Sequence, residues 1–267
     1  MKKYIIFAIP ALLLGMIVMV YAGFQLLEIR QIYEEGNAAY NELSQMVKKN
    51  APIGFEQLQV QELIYNDGDV LTLPEDETTI HIPDFEIDFE ALRQINKDAV
   101  AWLYSPGTVI DYPVMRSDDY SYYLNHLPDG AYNDNGSLFI DYNNAPDFCG
   151  PLTVIYGHHM KSGSMFGGLK GYKEQGFYDE HPYMYLYTEQ ANYRIDLMYG
   201  VVIAAGKWQI HAFMHSENLE SLLEYAKANT TFHSRVEFMD GDRVVALSTC
   251  SYEFNDARYV VLGVLRG

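Results

Sequence analysis

Residues 243–250 read RVVALSTC and residues 258–265 read RYVVLGVL. Both are short apolar runs rich in β-branched residues, and the segment between them, Ser251–Asp256, is a polar loop. Two such runs across a short loop predict an antiparallel strand pair. Upstream, similar runs recur at Val100–Tyr104, Val109–Met115, Ser137–Tyr142, Leu152–Tyr156, Tyr183–Tyr187, Tyr193–Ala205 and Lys207–Met214. Ser105-Pro106-Gly107, Asn133-Asp134-Asn135-Gly136 and Asp240-Gly241-Asp242 supply turns between them. About eight strands at this spacing predict a mainly β protein, a barrel or a sandwich, with added helices. One helix is expected where Phe89, Leu92 and Ile95 share a face behind an Asp88 N-cap. A second, Asn218–Ala228, places Leu219, Leu222, Leu223 and Ala226 on one side and falls between late strands.

The N-terminus sets a different problem. Lys2 and Lys3 precede an uncharged run, Tyr4–Leu27, long enough at about 1.5 Å per residue to cross a hydrocarbon layer of roughly 30 Å. The lysines predict a cytoplasmic N-terminus and export of everything after the run. The run exceeds the usual core of a signal peptide, so an uncleaved anchor is preferred over cleavage near Val20-Tyr21-Ala22. The expected organisation is residues 1–3 cytoplasmic, 4–27 a transmembrane signal-anchor, 28–82 an extracellular helix and linker, and 83–267 the main folded domain. Within 28–49 the apolar residues fall at helical spacings interrupted by Gly36, and residues 51–80 are read as the linker.

Composition excludes more than it assigns. The 267 residues carry a net charge of −18, so a nucleic-acid partner is not expected, because phosphate binding needs a basic face. Two cysteines cannot build a disulfide framework, although they leave a single Cys149–Cys250 bridge open. No H-E-x-x-H or C-x-x-C motif offers a metal site.

Three residues at strand ends carry the chemistry. Cys250 closes the run 243–250, and Arg258 opens the next strand, so an antiparallel pair returns the guanidinium to the thiol. His158 follows Leu152–Tyr156 and Gly157, and with His159 as its neighbour the residues alone leave open which imidazole points inward. Ser248 shares the face of Cys250 by alternation. A free thiol of pKa ≈ 8.5 is only about 3% thiolate at pH 7, so nearby positive charge matters. Together the three can serve acyl transfer: thiolate attack on a carbonyl, an arginine at the oxyanion, and an imidazolium protonating the leaving amine.

The segment Leu247-Ser248-Thr249-Cys250 with Arg258 resembles the L-x-T-C and arginine signature of the class B sortases. Tyr156-Gly157-His158-His159-Met160, followed by Ser164-Met165-Phe166, resembles their histidine segment, in which the catalytic histidine directly follows glycine. Ile95–Leu103, Pro106–Val114 and Tyr123-Leu124-Asn125-His126 resemble the opening of the same domain, so the likeness covers roughly residues 83–267. Where the family often has threonine four places before the cysteine, this chain has Ala246. The resemblance implies a sortase-type eight-stranded β-barrel with N-terminal helices and a helix inserted between late strands. It implies an extracellular transpeptidase on a Gram-positive-type cell, cutting an x-Pro-x-Thr-x sorting signal after its threonine through a thioacyl intermediate. Its partners would be surface proteins bearing C-terminal sorting signals and, as amine acceptor, a peptidoglycan precursor or a pilin. It assigns Cys250 as nucleophile, His158 as general acid and Arg258 as stabiliser, with Ser248 and Thr249 lining the substrate groove, and implies no metal or organic cofactor. Two rival readings stand beside it: a cell-wall cysteine endopeptidase or amidase, and a non-catalytic exported barrel serving as an adhesin or scaffold.

Overall fold

The last two strands, β9 (Arg243–Ser251) and β10 (Ala257–Arg266), pair antiparallel in the computed structural model, with Cys250 opposite Arg258. The structure describes residues 2–49 (side chains from residue 14), 82, 83, 85–119, 121–209 and 219–267. The linker expected at 51–80 lies outside them.

Eight strands close into a barrel. The others are β3 (Ala99–Tyr104), β4 (Asp111–Met115), β5 (Leu138–Ile140), β6 (Leu152–Tyr156), β7 (Tyr183–Tyr187) and β8 (Asn192–Ala204). The order around the wall is β10, β8, β7, β3, β4, β5, β6, β9, and closure leaves this sheet without an open edge. The β4–β5 and β6–β9 pairs are parallel. Between β6 and β7 the chain passes through a 3-10 segment and the short helix α3 (Gln175–Glu180). Alternation divides the late strands. Val245, Leu247, Tyr259 and Val261 face the barrel interior. Val244, Ala246, Val260 and Leu262 face outward. They lie under Trp208 of the helical turn α4 (Ala205–Gln209) and under the helix α5 (Leu219–Asn229), which contributes Leu219, Leu222 and Ala226.

The N-terminal helix α1 (Lys2–Val47) runs through Gly36 without a break. A Cβ at Gly36 would lie 2.1 Å from Asn135 Nδ2, so the glycine permits close approach to the barrel. There Asn133 and Asn135 donate to the carbonyls of Ile32 and Tyr33, and the buried Tyr40 hydroxyl donates to Gly136 O. Beyond it, β1 (Lys48–Lys49) pairs with β2 (Glu86–Ile87), which leads into α2 (Phe89–Ile95), capped by Asp88 Oδ1 at 3.0 Å from Ala91 N. The helix placed by sequence ahead of the catalytic domain therefore supplies Tyr40, Leu43 and Val47 to its core. Among the described residues no helix is long and apolar enough to cross a membrane. The side chains of residues 4–13, part of the expected span, lie outside that description.

One expected strand is corrected. Within Lys207–Met214, residues 207–209 belong to α4, and 210–214 lie outside the described residues. The cause is the register: β10 begins at Ala257 opposite Ala204, so β8 loses its ladder partner there. Ala205 N instead donates to Asp256 O, and Trp208 folds into the outer core cluster.

Candidate active site

Three neighbouring strands bring the expected residues together. The parallel β6–β9 ladder ends where Tyr156 aligns with Ser248, and beyond it Gly157 N donates to Ser248 O while His159 Nδ1 bonds Cys250 O, which keeps the histidine segment beside the end of β9. Arg258 lies directly across from Cys250 on the other side. By alternation Cys250 and Arg258 share the outward face that, lower down, α5 covers. Cys250, His158 and Arg258 are each half-buried, and both thiols of the chain are free.

Local backbone constraints hold the histidine segment. Gly157 donates to Ser248 O, and Thr249 Oγ1 donates to Gly157 O at 2.7 Å. A Cβ on Gly157 would come within 2.4 Å of Leu138 Cδ2 and 2.7 Å of the Phe166 ring, so glycine is required where β6 ends. Ser248 and Thr249 are both buried, and the Thr249 hydroxyl is committed to this strand tie. Ala246 is fully buried beneath α5.

The two histidines have separate tasks. His158 Nε2 lies 2.5 Å from Leu124 O, and His159 Nδ1 lies 2.8 Å from Cys250 O. A carbonyl only accepts, so each of these nitrogens carries the proton. Among the described residues that leaves His158 Nδ1 free to exchange a proton, while His159 holds the backbone of Cys250 and packs edge-on to Tyr252. Arg258 Nη1 donates to Ala257 O at 3.0 Å, and the guanidinium makes no ion pair among the described residues. A guanidinium with no ion pair among the described residues and an uncommitted imidazole nitrogen near a thiol suit acyl transfer. A cleft of about 920 Å³ between α5 and residues 230–238 is lined by none of the three.

No protein-family model matches the chain. Sortase B of Listeria monocytogenes is 34% identical over 177 residues, which is 65% of this chain and 72% of the relative. The crystal structure of Staphylococcus aureus sortase B superposes with a TM-score of 0.61 at 26% identity, covering 67% of this chain and 86% of that one. A Streptococcus pyogenes class B sortase involved in pilus biogenesis gives a TM-score of 0.61 at 28% identity, covering 67% and 97%. The closed eight-stranded barrel with its helices is thus the fold these enzymes share, and the chain belongs to the sortase B family of cysteine transpeptidases.

Proposed function

We propose that the enzyme cleaves an x-Pro-x-Thr-x sorting signal after threonine and joins the new acyl end to an amine of a peptidoglycan precursor or a surface protein. Cys250 Sγ attacks the threonine carbonyl; the S–C bond forms, the C–N bond breaks, and His158 delivers a proton to the departing amine. The acceptor amine then attacks the thioester, the new C–N bond replaces the C–S bond, and His158 takes the amine proton. Arg258 faces the oxyanion of both tetrahedral steps. The single observation supporting these roles is the meeting of three neighbouring strand ends, where Arg258 pairs with Cys250 and the segment 157–159 is tied to 248–250 by backbone contacts. The acceptor reading draws support from a sortase B solved in complex with triglycine, and the signal reading from the Staphylococcus aureus sortase B–substrate complex.

The N-terminal segment is proposed as a single-pass anchor holding the catalytic domain outside the cell. Leu14, Ile17, Val18, Met19, Phe24 and Leu27 are all exposed along α1, an apolar surface without a protein partner among the described residues.

The test is intact-mass analysis of the chain from Glu28 incubated with an x-Pro-x-Thr-x peptide library. An acyl adduct present in the wild type and absent from Cys250→Ala and His158→Ala is the expected result, and added amine should convert the product from acid to amide. Cleavage that persists in Cys250→Ala overturns the assignment.

A further inference from the structure

One lysine touches the chain neighbours of Cys250 and Arg258 and ends the segment tied to the third candidate, His158. Lys173 ends the 3-10 segment Phe166–Lys173, whose first amide donates to His158 O at 3.0 Å. Its Nζ donates to Ser251 Oγ at 3.0 Å and to the Glu253 carboxylate, and Ser251 Oγ donates to the second carboxylate oxygen. The same ammonium lies 4.9 Å from the centre of the Tyr259 ring. Ser251 follows Cys250 and Tyr259 follows Arg258, so alternation puts both on the inner side of the wall, behind the reactive side chains. A second tie closes the cluster: the Tyr259 hydroxyl meets Thr231 Oγ1, which donates to Tyr172 O, next to Lys173.

The loop 252–256 that joins Cys250 to Arg258 is exposed throughout. Among the described residues, Glu253 is its one charged tether to the segment leading from His158. Because Glu253 neutralises the ammonium, the contribution of Lys173 is geometric rather than a second charge at the thiol.

We infer that Lys173 is a positioning residue for Cys250 and Arg258, gripping Ser251 and Tyr259 from inside the barrel wall so that thiol and guanidinium stay in register with His158. This rests on the transpeptidase roles given above to those three residues. A solvated ion pair of purely structural effect would alter stability alone.

The experiment compares wild type, Lys173→Met, Lys173→Arg and Ser251→Ala in a Cys149→Ala background, so that iodoacetamide reports Cys250 alone. Four quantities are read: the Cys250 alkylation rate between about pH 5 and 9, kcat and KM on a sorting peptide, and Tm. Lys173→Met should displace the alkylation profile and lower kcat about ten- to hundredfold with little change in KM. Lys173→Arg, which can still bond Ser251 and Glu253, should recover most of it, and Ser251→Ala should shift both readouts in the direction of Lys173→Met. Superimposable alkylation profiles with equal kcat overturn the proposal. So does a loss of kcat that merely follows the folded fraction, or no recovery with arginine. If the wild type turns over no peptide, the functional reading fails, while the alkylation comparison still decides the role of Lys173.

Discussion

Cys250 sits half-buried at a strand end, where removing one sulfur leaves no large cavity. Cys250→Ala should therefore abolish turnover while changing stability by no more than about 1 kcal/mol, as checked by chemical denaturation. Arg258→Lys keeps the charge but loses the planar fork, and kcat should fall by about tenfold or more in steady-state assays. Glu253 carries a pH signature. Burial works against its carboxylate, but hydrogen bonds from Lys173 and Ser251 outweigh that and hold its pKa at about 2. A carboxyl depressed in this way contributes stability above its unfolded pKa of about 4.3, lost as pH falls towards the folded value. The Tm difference between wild type and Glu253→Gln should be constant from about pH 5 to 8 and shrink below about pH 4.

At the scale of elements, the docking of α1 on the barrel is the sharpest case. Replacing a helical glycine with alanine ordinarily favours the helix by about 1 kcal/mol. At Gly36 the sign should reverse, because the new Cβ meets the buried Asn135 amide and the Asn133 carbonyl oxygen. Gly36→Ala should destabilise by about 1–3 kcal/mol in urea unfolding, the range of overpacking. An increase in stability would show that α1 does not seat there. Tyr40 anchors the same contact: its buried hydroxyl donates to Gly136 O, and burial pushes the phenol pKa up, which favours the donor form.

For the whole molecule, the exposed apolar face of α1 and the acidic surface act in opposite directions. The full chain should float with neutral liposomes and the chain from Glu28 should stay in the aqueous fraction. Anionic lipid should add nothing, since a net charge of −18 is repelled by it.

The strand content was legible because turn residues cut the apolar runs cleanly, and Leu152–Tyr156 and Tyr183–Tyr187 have the bounds their patterns predict. Asp88 announced its own helix through a local hydrogen bond, and Cys250 and Arg258 were paired by nothing more than a short loop between two strands. These are local properties, set by residues near one another in the chain. What needed the tertiary structure were relations between distant segments. The parallel β6–β9 pairing brings the end of β6, and with it the histidine segment, beside the end of β9, and after Ala204 loses its β10 partner the chain turns into the helix Ala205–Gln209. Gly36 reads as a break until Asn135 is placed against it, and Lys173 has no local pattern at all. Its role exists only because barrel closure brings residues 173, 251, 253 and 259 to one point. Periodicity encodes which face a residue takes; which face meets which is decided by packing.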